Sequence, residues 1–452
     1  MKHFHPHGDA SKCALCGNRI PFDPPKELYE DVVNGRVVVF AGAGVSTESR
    51  LVFPYTLYED VCQELSIRPS KGLSFPDVMT KYCAQPNGRT KLLQKIRSRF
   101  AYIRSFPELY RWATRFHCEL STIHLLDTII TTNWDDYFES ECSATPFVTA
   151  EDFAFWSVPG RKVFKLHGSV NSYGSIVATR KDYETCYKRL RIGLLGSSLK
   201  MMLATKTVIY FGFSFKDPDF LRVQKLLASE MRGLMPQSYI VTPERLFHSR
   251  YTELGIVPIY TDATYFLEML KTHLVKKKIM LGDDKFGEIM QLLAETARRH
   301  FELADKVNLR ETPEAIFALC YQDGAMHAFE RMLALKSSGY YSNACNALNA
   351  VRSYEEIRKQ KQAAHKYSDV AYIDGYIDGH MCLLATKQLQ KQRPRYYIYG
   401  RNTSARSLRE YTRALAQASR FHRAASKWAH MAVKRLIAED GSTVFHHTPF
   451  LL

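Results

Sequence analysis

The chain repeats one pattern: a short run of apolar, β-favouring residues closing on a polar or glycine turn, then a stretch with helical spacing. RVVVFA (36–41), DTIITT (127–132), KVFKL (162–166), TVIYF (207–211), SYIVT (238–242) and GIVPI (256–260) are the strand candidates. Helical patterns fill the intervals near 55–66, 90–120, 181–204, 217–231 and 263–277. Runs that are apolar throughout, rather than alternating, belong to strands covered on both faces. Strands separated by helices give a mostly parallel sheet with right-handed crossovers.

The expected architecture is α/β: a Rossmann-like doubly wound parallel sheet over about 29–280, followed by a C-terminal all-helical domain over 286–452. In that second part apolar positions recur at helical spacing in EIMQLLAETARRHFELA and AFERMLALKSSGYYSNACNALNAV. RPRYYIYGRN (393–402) breaks the pattern as a short hairpin or loop, and a long helix is expected from about Ser404 to Ala438. Residues 1–28 form a polar, proline-marked extension.

Hydrophobic residues make up 46% of the 452, a globular value. No uncharged apolar run approaches the ~20 residues that span a bilayer. The opening MKHFHPHGDASKC has no apolar signal region, and the ten cysteines lack a disulfide-like framework. These features give the expectation of a cytoplasmic chain without membrane attachment. The net charge of +16 is concentrated: from Lys387 to Arg435 thirteen Lys or Arg face one acid, Glu410. That window is either a set of solvated helix faces or a site for nucleic acid, a nucleotide ligand or an acidic partner.

Four segments end strands, at the sheet edge where ligands bind in open α/β sheets. FAGAGVS brings Gly42, Ala43, Gly44 and Ser46, a turn whose amides can bind a pyrophosphate that glycine lets approach closely. A glycine turn of this kind is as often a plain strand–helix connection. TTNWDD brings Asn133 and Asp135. They are either a turn former and a helix cap, or groups that hold ribose hydroxyls, a water or developing positive charge. KLHGS brings His167, whose imidazole type accepts protons near neutral pH. FGFSFKDPDF brings Gly212 and Ser214 along a ribose or phosphate, whereas Asp217 before Pro218 reads as a helix start. The inventory suits chemistry on a dinucleotide. Separately, Cys13 and Cys16 form a CxxC knuckle near His3, His5 and His7, able to hold zinc or to remain idle thiols.

With these residues in order, the chain resembles the sirtuin family, and more closely the divergent sirtuin-like domains of bacterial antiphage defence proteins. The likeness covers about 30–280 and extends to Ile176-Val-Ala-Thr-Arg-Lys-Asp-Tyr183. It implies NAD bound by Gly42, Ala43, Gly44, Ser46, Gly212 and Ser214. It also implies Asn133 and Asp135 around the nicotinamide ribose, and His167 as the catalytic histidine. Two departures matter. Deacetylating sirtuins carry a paired-CxxC zinc module after the histidine, whereas Gly168 to Tyr183 contains no cysteine and Cys186 stands alone. The G-I-P-D-F-R loop of deacetylases is replaced by Ser49-Arg-Leu-Val-Phe-Pro-Tyr55.

The resulting expectation is an NAD+ hydrolase releasing nicotinamide and ADP-ribose, the effector of an abortive antiphage defence system. Regulation would run through the helical domain, a homo-oligomer or a separately encoded partner. The alternatives are an NAD-dependent deacylase or ADP-ribosyltransferase, and a non-catalytic NAD-binding module.

Overall fold

The computed structural model describes residues 17–46, 52–69, 72–213, 225, 229, 231–232, 234–245, 251, 255–390, 395–401, 405, 407–440 and 445–449. The chain divides into two compact units, Met1–Lys276 and Lys277–Leu452.

In the first unit seven strands form one sheet: β1 (Val37–Ala41), β2 (Thr128–Thr131), β3 (Thr145–Phe147), β4 (Lys162–Lys165), β5 (Thr207–Phe211), β6 (Ser238–Val241) and β7 (Ile256–Ile259). Every pairing is parallel, in the spatial order β3-β4-β2-β1-β5-β6-β7. All five residues of β1 and of β5 are buried, as sheets covered on both faces require. The fold is thus the Rossmann-like parallel sheet that the apolar runs predict. From β1 the chain winds one way through β2 and β4, then returns to β5 on the other flank of β1. That reversal makes the carboxyl ends of β1 and β5 a topological switch point.

Nine described helices flank the sheet: α1 (Lys26–Val33), α2 (Leu57–Glu64), α3 (Phe75–Cys83), α4 (Gly88–Ser105), α5 (Pro107–Ser121), α6 (Tyr137–Cys142), α7 (Arg180–Ile192), α8 (Leu194–Thr205) and α9 (Ala263–Lys276). The helix expected over 90–120 is two. Phe106 is extended (φ −123°, ψ 106°), the backbone state that a following proline favours, and Pro107 begins a new helix. The 181–204 stretch is likewise split, at an extended Gly193. Helices α1, α3 and α6 and the three-residue β3 lie outside the stretches that the sequence predicts. All are short, and β3 lies at the sheet edge. Of the helix expected over 217–231 only residues 225, 229 and 231 are described, each in helix. Residues 17–28 are not a separate arm: the Asp262 N–H donates to the Asn18 carbonyl at 2.8 Å, and the Phe22 and Phe266 rings stack at 5.2 Å.

The second unit is helical. Its described helices are α10 (Asp283–Lys306), α11 (Ile316–Ala334), α12 (Ala344–Ala363), α13 (Tyr367–Leu384), the single turn α14 (Lys387–Gln390), α15 (Leu408–Leu415), α16 (Ala418–Phe421) and α17 (Arg423–Asp440). Helices α11 and α13 approach backbone to backbone. A Cβ on Gly324 would stand 1.9 Å from the Tyr372 carbonyl oxygen, and one on Gly375 1.8 Å from that of Tyr321. Only glycine permits that separation. The expected helix over 404–438 is three pieces, with Gln417 and His422 outside helical geometry between them. RPRYYIYGRN closes on an isolated antiparallel bridge between Ile398 and Arg401.

Candidate active site

The register of the sheet brings the chemistry-bearing segments to one edge. Ala41 is level with Thr131 and with Phe211, and Thr131 is level with Lys165. Gly42 and Gly212 are therefore the first residues beyond the sheet on adjacent strands. Asn133 and His167 each stand two residues past the Thr131–Lys165 pair. Four segments far apart in sequence leave the sheet side by side.

The two glycine turns fit into each other. The Gly42 N–H donates to the Phe211 carbonyl at 2.8 Å, and the Gly44 N–H to that of Gly212 at 3.1 Å. A Cβ on Gly42 would stand 2.5 Å from the Gly212 oxygen. Gly212 has φ +58°, and its Cβ would stand 2.6 Å from the Val45 nitrogen. Gly212 is thus required by the close approach of the Gly42–Gly44 turn as well as by its own backbone. Ala43–Val45 form one 3₁₀ turn that delivers Ser46 into the interior.

Ser46, Asn133 and Asp135 make a buried hydrogen-bond chain. The Asn133 side-chain amide donates to the Gly42 carbonyl at 3.1 Å and to Ser46 Oγ at 3.3 Å. Ser46 Oγ then donates to Asp135 Oδ2 at 2.9 Å. Asp135 Oδ1 accepts from the Tyr137 backbone N–H at 3.4 Å, at the start of α6. Thr131 anchors the base of the chain: its hydroxyl donates to the Ala41 carbonyl at 2.9 Å and accepts from the Asn133 N–H at 3.0 Å. Burial pushes the Asp135 carboxyl above the ordinary carboxylate range, while the Lys165 charge and the Ser46 hydroxyl pull it back. Asn133 Oδ1 is left buried with no partner in the protein. Such an acceptor is costly unless a ligand or solvent donor meets it.

His167 is buried, 5% exposed, just past β4. Its ring meets the Tyr183 ring edge-on, with centroids 5.0 Å apart, and its carbonyl accepts from the Val177 N–H at 3.0 Å. Gly168 follows at φ +84°, with its Cβ position 2.1 Å from the Ser175 oxygen, so the turn closes tightly behind the imidazole. Helix α7 starts at a capping box, Thr179 with Asp182, and Asp182 pairs with Arg89 at 2.8 Å. The Ile176–Tyr183 stretch is therefore the clamp that seats His167. Cys186 is buried in the core with Leu166, Leu190 and Val177, and its Sγ bonds to the Leu166 carbonyl.

One component under the site carried no assignment from sequence. Lys165 has a fully buried side chain. Its Nζ bonds the Asp135 carbonyl and pairs with Glu139 at 2.9 Å. A lysine in an otherwise apolar strand was the available signal, since a buried ammonium demands a partner. Ser214, Cys13 and Cys16, by contrast, lie outside the described residues.

Comparison with known proteins bears on the same region. Residues 127–270 match the SIR2-like domain family, a span that takes in Asn133, Asp135, His167 and Gly212 and begins after the Gly42–Ser46 turn. The chain is 29% identical over 219 residues to a protein of Cytobacillus dafuensis named NAD(+) hydrolase ThsA, covering 47% of this chain and 40% of that one. An Enterococcus faecium protein of the same name is 28% identical over 295 residues, 61% of this chain and 58% of its own length. Defense-associated sirtuin 2 of Bacillus subtilis is 22% identical over 328 residues, 68% of this chain and 30% of that one. The chain spans about half the length of the related hydrolases, 40% and 58% of these two. Its parallel sheet, the four segments at one edge and these likenesses agree: residues 127–270 are similar to SIR2-like domains and lie in a Rossmann-like parallel sheet.

Proposed function

We propose that this chain hydrolyses NAD to nicotinamide and ADP-ribose. The observation that carries the reading is Asn133 Oδ1, a buried acceptor without a protein partner on the same sheet edge as His167 and beside the Gly42–Gly44 turn. The names of the related hydrolases point the same way.

In the proposed reaction the dinucleotide pyrophosphate lies against the backbone of the glycine turn, where the lack of side chains at Gly42 and Gly44 allows close approach. The nicotinamide–ribose bond lengthens through an oxocarbenium-like state, and water completes the substitution at the anomeric carbon. His167 takes the proton from a ribose hydroxyl or from the attacking water. Asn133 Oδ1 accepts a hydrogen bond from that same hydroxyl or water and orients it. Asp135 acts through Ser46 as a positioning residue, because its carboxylate oxygens already accept from Ser46 and Tyr137. Gly212 shapes the wall; Ser214, outside the described residues, is assigned to the ribose and phosphates by the sequence resemblance alone. Between His167 and helix α7 the chain makes only one 3₁₀ turn, Tyr173–Ser175, before the Thr179 cap. That short link leaves no place for a cysteine-rich zinc module of the deacylase kind, which favours water over an acyl-lysine as co-substrate.

The biological setting we propose is antiphage defence, by NAD depletion. Control would pass through the helical unit, through self-association or through a separately encoded partner. The basic 387–435 window would serve as a nucleotide or nucleic-acid contact, and Cys13 and Cys16 as a zinc knuckle. Nicotinamide release from NAD, compared between the parent chain and the Asn133→Ala and His167→Ala variants, tests the reading.

A further inference from the structure

In the helical unit three side chains from distant parts of the sequence converge: His300 on α10, Asp323 on α11 and His446 near the carboxyl end. His300 Nε2 lies 3.2 Å from His446 Nδ1. Asp323 Oδ1 lies 3.7 Å from the former and 3.6 Å from the latter. These are the only His, Cys, Asp or Glu side chains among the described residues that converge in this way.

The spacing has a chemical meaning. The carboxylate oxygen is too far from either ring for a good hydrogen bond. Three atoms with these separations lie on a circle of radius about 2.0 Å, so an ion at or just off its centre meets all three at the ~2.0–2.2 Å of Zn–N and Zn–O bonds. Two imidazoles and one carboxylate are also a donor set that divalent transition ions favour over calcium or magnesium.

The surroundings orient the donors. The His447 backbone N–H donates to Asp323 Oδ2 at 2.7 Å, leaving Oδ1 toward the two histidines. His447 is itself seated by Asp369 at 3.3 Å and by its stack on Tyr372 at 4.4 Å. Outer contacts of this kind fix first ligands in metal sites. His300 is 2% exposed, and its Nδ1 and the Oε1 of Gln322, on the residue preceding Asp323, are both buried. A metal on Nε2 fixes the remaining proton on Nδ1, where such an acceptor is needed. His446 is exposed, so solvent can enter from its side and complete the coordination.

We propose that His300, Asp323 and His446 bind one divalent transition-metal ion of the zinc class, which fastens segment 445–449 to the helical unit. The site is independent of the NAD-cleaving assignment, and its test needs no activity. The full-length chain, carrying Cys13→Ser and Cys16→Ser to remove the amino-terminal thiols, is stripped with a chelator and titrated with Zn2+ and with Co2+. The expected result is one tightly held equivalent and a Co2+ visible spectrum without thiolate charge-transfer bands. His446→Ala, at an exposed position, should fold normally and weaken binding at least about tenfold, and Asp323→Asn should do the same. Absence of a bound equivalent in the thiol-free chain, or unchanged affinity in His446→Ala, would overturn the proposal and leave a histidine–histidine hydrogen bond as the reason for the 3.2 Å contact.

Discussion

Ser46 Oγ donates a 2.9 Å hydrogen bond to Asp135 Oδ2 across 89 residues of sequence, tying the glycine turn after β1 to the segment after β2. The bond is buried, and Asn133 donates into the same hydroxyl. One serine thus ties together the positions of the Asn133 amide and the Gly42–Gly44 turn. Ser46→Ala leaves a buried carboxylate oxygen without its donor, at a cost of about 1–3 kcal/mol. Ser46→Ala and Asp135→Asn should each weaken NAD binding about tenfold or more. The double variant should lose less than the sum, with a coupling of about 0.5–3 kcal/mol. Calorimetric titration of NAD into the four proteins of this cycle, each also carrying His167→Ala so that NAD is not consumed, measures it, and strict additivity would separate Asp135 from Ser46.

The interlocked glycines make a second expectation. Alanine at Gly42 places a Cβ 2.5 Å from the Gly212 oxygen, and alanine at Gly212 must also accept φ +58°. Each substitution forces the two turns apart. Both variants should lose about 1–3 kcal/mol of stability and show a larger KM for NAD. Gly35→Ala is the control for the strain alone, since it shares a positive φ but has nothing within 4 Å of its Cβ position. It should melt lower while leaving KM unchanged.

The buried Lys165 pairs with the partly buried Glu139 under the site. Removing only the lysine strands a partly buried carboxylate, so Lys165→Met should destabilise the fold by about 3–5 kcal/mol. Adding Glu139→Gln should recover a substantial part of that loss, as read by denaturant unfolding of both variants. No recovery would mean that the lysine acts chiefly through the Asp135 carbonyl.

Acid stability should report on His117, fully buried between Tyr137 and Phe138. Burial pushes its imidazole down from 6.5 to about 3, with Glu141 opposing. The unfolded chain therefore takes up a proton below pH 6.5 that the folded chain refuses until about pH 3. Stability falls across that window by about 1.4 kcal/mol per pH unit from this residue. His117→Phe removes the term. Relative to the parent it should gain about 2 kcal/mol between pH 6.5 and pH 5, and parallel pH profiles would contradict the assignment.

The sheet and its functional edge were legible because period and placement coincide there. Unbroken apolar runs mark strands covered on both faces, and glycine, asparagine and histidine close them. What the sequence hid depends on contacts between distant segments. Nothing local announces that Ser46 reaches Asp135, that Gly212 exists for the Gly42 turn, or that Tyr183 faces His167. The helix breaks at Pro107 and Gly193 were readable in principle, but the flanking helical spacing on both sides masked them. Strand β3 has three residues and Pro146 at its centre, too little pattern to stand out. The convergence of His300, Asp323 and His446 spans 146 residues and belongs entirely to tertiary structure.

NAD cleavage by Asn133 and His167, as proposed, is open to direct measurement. Nicotinamide release should be followed during incubation of the purified full-length chain with NAD, beside Asn133→Ala and His167→Ala variants shown by circular dichroism to be folded. The account expects release by the parent chain and none above background by either variant. Intact NAD with the parent, or parent-like turnover in both variants, would contradict it.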